Sequence, residues 1–265
     1  MSGNNEVPGR TVIRKASMIL DAFAGNRMSL SLADLARVTG LPSSTVHRIA
    51  RELVEWGGLE RTPRGDYMVG IRLWEIAARS RRSYGLRETA MPFLQGLFDL
   101  TRQHVQVAVI DGADALLVEK ISAPGAVRTI GRVGGRLPLH ASAVGKALLA
   151  FSPADTQERI LARDLPAYTP LTLTCARVLR RELAETRLSG IALVHEEMTI
   201  GAVSCAAPIL GPRHEVVAAI SVVTPVGDES PRKWSTAVRA ASFGIARALS
   251  RDQPQPVISA YLTGS

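Results

Sequence analysis

The chain has 265 residues, 46% hydrophobic and 21% charged, an ordinary composition for a soluble globular protein and a length that suits two modest domains. Two cysteines, Cys175 and Cys205, are too few for a disulfide framework. No apolar run of about 18 residues is present to span a bilayer, and the polar start from Met1 to Arg10 lacks a signal-peptide core, so a cytoplasmic location is expected. The net charge is +8, and thirteen Lys and Arg against eight Asp and Glu up to Ser83 place +5 of it in the first third, where it attracts phosphate polymers or an anionic membrane surface.

Residues 1–10 read as a flexible N-terminus. From Thr11 to Ala24 the apolar positions Ile13, Ala16, Ile19, Leu20 and Phe23 make one helical stripe, ended by Gly25 and Asn26. Ser31 with Asp34 three residues on resembles a capping box, and the short helix it opens stops at Gly40. Pro42 is expected to open the next helix, which buries Val46, Ile49, Ala50 and Leu53. The remaining face carries Ser43, Ser44, Thr45, His47, Arg48 and Arg51, short hydroxyls and cations that can bond phosphates or base edges in a major groove. Thr39, Gly40 and Leu41 form the tight turn of a helix-turn-helix. Two short strands, Leu59–Thr62 and Tyr67–Val69, flank a Gly-containing turn and make a hairpin, with Arg61 and Arg64 near its tip, that reads as a wing on the DNA backbone. A plain three-helix unit with a solvated face has the same helical pattern. The full order of helix, Gly turn, hydroxyl-rich helix and basic hairpin favours DNA binding over residues 11–70.

Residues 71–83 continue as a linker helix whose apolar residues (Ile71, Leu73, Trp74, Ile76, Ala77, Ala78) cover more than one stripe and so need more than one partner. The larger domain, 84–251, is read with helices at Leu86–Gln103, Ala143–Ala150, Ala176–Leu188 and Pro231–Leu249. Its strands are read at Val105–Ile110, Leu116–Ile121, Val203–Leu210 and Val216–Val223. Paired strands near both ends suggest an antiparallel sheet flanked by helices, an α+β domain. Residues 252–265 read as a flexible tail. Gly134, Gly135 and Gly145 would let backbone approach a ligand closely, and the helix start after Ala141 favours an anion such as a carboxylate. A structural turn packing a helix onto the sheet accounts for the same pattern.

The stretch Ser31–Ala50 (SLADLARVTGLPSSTVHRIA), continuing to Gly70, resembles the DNA-binding domain of IclR-type regulators. Three further stretches extend the likeness: RVGGRLPLHASAVGKALLA from Arg132, GIALVHEEMTIGAVSCAAP from Gly190, and AAISV from Ala218. The resemblance implies a winged helix-turn-helix, a linker helix packing in a dimer, and a GAF/PAS-like α+β effector-binding domain. Its implied partners are double-stranded operator DNA and a small-molecule carboxylate effector, with assembly as a homodimer or a dimer of dimers. Carried over residue by residue, the effector site comprises Ala141, Ser142, Ala143, Val144, Gly145, Val194, Ser204, Ser221 and Val223. Val194 stands where some members have a pocket aspartate, Ser204 where some have a cysteine, and Val223 where some have a second serine. The pocket has therefore lost polar groups, which with Arg132, Arg136 and Lys146 nearby points to a largely apolar monocarboxylate of the aromatic kind.

The rival class is a small-molecule-converting enzyme, with candidates His140, His195, Ser142, Ser204, Cys175, Cys205, Glu196 and Glu197. No nucleophile elbow is present, His195-Glu196-Glu197 lacks a second histidine at i+4, and the cysteines and histidines have no zinc spacing. The expectation is a ligand-responsive regulator without catalysis, cofactor, metal or membrane role.

Overall fold

The computed structural model describes residues 11–25, 27–78, 85–227 and 231–251. The expected flexible ends, 1–10 and 252–265, and the last part of the expected linker helix, 79–83, lie outside the described residues. The chain divides into two compact units, Met1–Tyr84 and Gly85–Ser265.

In the first unit, α1 (Val12–Asp21) is capped by the Thr11 hydroxyl and runs into a 3₁₀ turn, Ala22–Ala24. A two-residue strand, β1 (Ser29–Leu30), precedes α2 (Leu32–Thr39). Ser31 caps α2 as its sequence predicts: its Oγ accepts the Asp34 N–H at 3.1 Å and donates to Asp34 Oδ2 at 2.9 Å. Gly40 ends the helix in the left-handed region, φ 65°, which a side chain would strain. Thr39 locks the turn, its Oγ1 donating to the Leu35 carbonyl at 2.6 Å and accepting from the Leu41 N–H at 3.3 Å. Helix α3 (Ser43–Trp56) starts one residue after Pro42, which stands at the cap rather than inside the first turn. Strands β2 (Leu59–Arg61) and β3 (Tyr67–Val69) form the hairpin, and β1 adds to β3 as a third strand. One core of Ile19, Leu30, Leu35, Leu41, Val46, Ile49, Ala50, Leu59 and Tyr67 holds helices and hairpin together. Helix α4 (Ile71–Ala77) follows.

The second unit is α+β, with a six-stranded antiparallel sheet covered on both faces. Its strands are β4 (His104–Asp111), β5 (Asp114–Ile121), β6 (Arg136–Pro138), β7 (Ala192–His195), β8 (Ala202–Leu210) and β9 (Val216–Pro225), in the order β6-β5-β4-β9-β8-β7. Helices α5 (Leu86–Thr101) and α9 (Ser235–Arg251) cover one face, burying Leu94, Val238 and Ile245 against Val105, Val107 and Val109. Helices α6 (Ala143–Ala150), α7 (Ala154–Leu161) and α8 (Ala176–Ser189) cover the other, packing Leu148, Leu179 and Leu183 over Ala108, Leu117 and Ala219. Burial on both faces explains why β4 reads as a nearly continuous apolar run.

Candidate functional site

On the first unit, α3 turns Ser43, Ser44, His47, Arg48 and Arg51 to solvent, with Thr45 half-buried beside them. Arg48 bonds Glu52 at 3.1 Å and Arg51 meets Glu55 at 3.5 Å, each one turn along the helix. Both pairs are exposed, so they contribute little and yield readily to a phosphate. Arg61 is more constrained than its place near the tip suggests. Its guanidinium lies 4.7 Å from the Tyr67 ring centroid and donates to Tyr67 Oη at 2.7 Å, a contact to its partner across the hairpin. Arg64 is exposed in the turn itself. On the underside of α2, Asp34 binds Arg37 at 2.8 Å and Arg27 at 3.0 Å. The Arg37 bond, the Ser31 hydroxyl and the Arg27 charge hold its carboxyl down at about 2.

On the second unit, a cavity with about 490 Å³ of empty space, part of it open to solvent, lies between the sheet and α6. Its floor comes from strand register. Val194, Ser204, Val223 and His104 lie side by side on β7, β8, β9 and β4, and two residues along each strand Ala192, Ala206, Ser221 and Gln106 form the next rung, which Lys120 extends onto β5. Antiparallel partners share a face, so the floor residues point to the α6 side together. Of the nine residues inferred from the family likeness, Ser142, Ala143, Val144, Val194, Ser204, Ser221 and Val223 line the cavity. The N–H groups of Ala143 and Val144, in the first turn of α6, have no intrahelical acceptor. The Ser142 hydroxyl caps the helix, accepting the Gly145 N–H at 3.1 Å and donating to the Pro138 carbonyl at 2.7 Å.

Two of the nine do not line it. Ala141 is buried away from the cavity. A Cβ on Gly145 would lie 2.6 Å from Leu139 Cα and from the Pro138 carbonyl, so this glycine seats α6 on the β6 connection rather than admitting a ligand. Gly134 and Gly135 likewise pair with Leu117 in a turn, by N–H···O bonds of 2.8 and 2.9 Å. The expected cations are also elsewhere: none of Arg132, Arg136 and Lys146 lines the cavity. Arg136 pairs with Asp111 and Asp114. Lys146, with no exposed surface, sits 2.5 Å from Glu197 Oε1 and 2.6 Å from Glu182 Oε1.

Sequence reasoning missed Gln106, Thr129, Ile130, Gly131, Leu137, Met198, Thr199 and Ala202, which complete the lining. The segment carrying residues 129–131 is strapped to the sheet. Lys120 Nζ donates to Thr129 Oγ1 and to the Gly131 carbonyl, both at 2.7 Å. His104 uses one ring nitrogen on Ser122 Oγ at 2.8 Å and the other on the Val127 carbonyl. Burial depresses the basicity of both Lys120 and His104. The segment carrying Met198 and Thr199 is held by Glu197, whose backbone carbonyl accepts from Thr172 Oγ1 at 2.6 Å.

The candidates for catalysis do not assemble. His140 Nε2 faces the Pro166 carbonyl at 3.0 Å while the Ser142 hydroxyl is spent on Pro138. Glu197 is engaged by Lys146, and exposed His195 meets its neighbour Glu196 at 3.5 Å. Cys205 is buried, its thiol pushed up to about 11 by desolvation. Cys175 is exposed at the start of α8, where the N–H groups of Val178 and Arg177 lower its pKa. Among the described residues no three His, Cys, Asp or Glu side chains gather as a metal site, and no helix is long and apolar enough to cross a membrane.

A winged helix-turn-helix unit followed by a GAF-like α+β unit with an internal cavity defines a DNA-binding regulator with an effector-binding domain. The family models described as IclR helix-turn-helix domain and Bacterial transcriptional regulator IclR C-terminal match residues 12–63 and 79–251. The chain belongs to the IclR family of transcriptional regulators. It is 31% identical over 242 residues to the regulator XynR of Escherichia coli, covering 89% of this chain and 96% of that one. It is 31% identical over 212 residues to the transcriptional repressor IclR of the same organism, covering 78% of this chain and 77% of that one. An IclR homolog from Microbacterium hydrocarbonoxydans, solved in complex with 4-hydroxybenzoate, superposes with a TM-score of 0.86 at 34% identity, covering 90% of this chain and 99% of that one.

Proposed function

We propose that this chain controls transcription by binding operator DNA in a manner set by an aromatic monocarboxylate held in the cavity of the second unit. The observation that carries the ligand class is the lining. One wall ends in the first-turn N–H groups of Ala143 and Val144, which have no intrahelical acceptor and suit a single carboxylate, whereas Val194, Val223, Leu137, Ile130 and Met198 offer apolar surface elsewhere. A ring buried there gains roughly 25 cal/mol per Å² of apolar surface, while the second acid of a small diacid would stay unpaired. The 4-hydroxybenzoate bound by the Microbacterium relative supports the same class. With no cation among the described lining residues, the helix terminus is the anion site of this reading.

DNA is bound in this reading by Ser43, Ser44, Thr45, His47, Arg48 and Arg51 in the major groove, with Arg61 and Arg64 of the wing on the backbone. Effector and DNA each favour one of two arrangements, so each changes the other's affinity by the same factor. Assembly as a dimer rests on α4, where Ile71, Trp74 and Ile76 are 62%, 62% and 49% exposed in the single chain. In this reading a regulator that binds operator DNA works in the cytoplasm.

Calorimetry with glyoxylate, pyruvate, succinate, benzoate and phenylacetate tests the ligand class, and mobility shift on the upstream intergenic DNA with the same acids tests coupling. Tighter binding of succinate than of the aromatic acids overturns the effector reading. Light scattering of wild type and Trp74→Glu tests the assembly, and a monodisperse wild-type monomer at micromolar concentration overturns the dimer.

A further inference from the structure

The cavity floor carries one buried side-chain oxygen that no described residue satisfies. Gln106 is 3% exposed, it lines the cavity, and its Oε1 is buried without a hydrogen-bond partner among the described residues. Leaving such an acceptor unpaired in a low-dielectric site is costly. Its register partner Ser221 is 2% exposed, lines the same cavity and makes no hydrogen bond to another described residue. Both stand one rung away from Val194 and Val223, whose side chains are apolar. Gly131 borders the carboxamide from the roof, where a Cβ would come within 3.0 Å of Gln106 Oε1 and 3.2 Å of Leu117 Cδ2, so the absence of a side chain at 131 keeps this corner open.

We propose that Gln106, with Ser221, is a specificity-determining pair that reads a ring hydroxyl on the aromatic acid, so that the effector is a hydroxylated one. A hydroxyl donates to Oε1 and accepts from the Ser221 O–H, satisfying both groups at once. An unsubstituted or methylated ring leaves Oε1 unpaired. A second carboxylate, which only accepts, leaves it unpaired too and adds a buried charge. This inference rests on the cavity being the effector site, with the carboxylate at the start of α6.

The experiment is calorimetry of the full-length protein with benzoate, 4-methylbenzoate, 3- and 4-hydroxybenzoate and terephthalate, repeated on Gln106→Met. Wild type is expected to bind a hydroxybenzoate about tenfold to hundredfold more tightly than benzoate or 4-methylbenzoate, the range that an unpaired buried polar group implies. Gln106→Met is expected to bring that ratio close to one, because the ring hydroxyl then loses its acceptor, while benzoate binding persists. The wild-type series decides the matter even if the variant does not fold. Aromatic acids bound with no preference for a hydroxyl, a preference for terephthalate, or a hydroxyl preference retained in Gln106→Met overturns the role of Gln106 and leaves the aromatic-acid reading standing. Binding of none of these acids overturns both.

Discussion

Glu197→Gln tests how far the cavity depends on a buried charge cluster. Lys146 of α6 is wholly buried, and its ammonium has two carboxylates, Glu197 with 7% and Glu182 with 29% of the side chain exposed. Burial holds the Glu197 carboxyl above the usual range even though Lys146 and the Leu173 N–H pull it the other way. The pair is therefore a compromise between desolvation and attraction, and removing one partner should cost more than its net contribution. Breaking a buried pair by removing one member costs about 3–5 kcal/mol, and because Glu182 remains, the expected loss is at the lower end, about 3 kcal/mol. For a domain of this size that is a drop of roughly 6–12 °C in the midpoint of thermal unfolding. The double variant Lys146→Met with Glu197→Gln should be less destabilised than the sum of the single variants, since the one charge it leaves without its partner is the partly exposed Glu182. The assay is scanning calorimetry of the full chain, with hydrogen exchange over residues 143–150 and 196–201 to localise the effect. Those segments carry Val144, Met198 and Thr199 of the lining, so effector affinity should fall with them. A Glu197→Gln midpoint within 1 °C of wild type, with unchanged exchange in both segments, would refute the argument.

Asp34 supplies a pH dependence. Its carboxyl is lowered from 3.8 to about 2, so the stability it gives the first unit is fully present above pH 3.8 and is lost as pH falls through about 2. Asp34→Asn should flatten the acid limb in that window, as followed by far-ultraviolet circular dichroism. Thiol titration should show one fast cysteine: Cys175, exposed and lowered, reacts with a disulfide reagent at neutral pH, while Cys205, raised to about 11, reacts only on unfolding. Arg48→Ala should weaken operator binding with about 1–3 kcal/mol of lost discrimination and a thermal midpoint close to wild type, whereas Arg64→Ala should weaken all sequences alike and lower the salt slope by about one. Gel shifts at several salt concentrations separate the two.

The parts legible in the sequence are those where one physical signal decides. The Ser31–Asp34 cap, the Gly40 stop and the stripe of Val46, Ile49 and Ala50 each follow from local chemistry, and the long strands β8 and β9 from β-rich runs. The elements that went unread are short or polar: β1 has two residues, β6 three and β7 four, and α7 is an eight-residue helix with a weak apolar stripe behind Pro153. These form because the rest of the unit supplies their partners, which no local pattern records. The glycines around α6 left two readings open for a related reason. Close backbone approach has the same sequence signature whether the neighbour is a ligand or, as at Gly145, the protein's own Pro138 carbonyl. The cations misled because charge near a site in sequence says nothing of its counter-charges, and Glu182 and Glu197 come to Lys146 from 36 and 51 residues away.

Gln106 did leave a signal, and it is of a general kind. It interrupts Val105, Val107, Ala108 and Val109 in a strand whose run of apolar residues implies burial on both faces. An amide at such a position has no solvent to fall back on, so its hydrogen bonds must come from a neighbouring strand, from a segment folded over it, or from a ligand. In this fold the neighbouring strands offer Ser221, which leaves Oε1 unmatched, and Lys120, whose ammonium bonds Thr129 and Gly131, and the segment over it offers Gly131, which has no side chain. Two of the three sources are thereby spent. The third is the one that an effector site on this floor would supply.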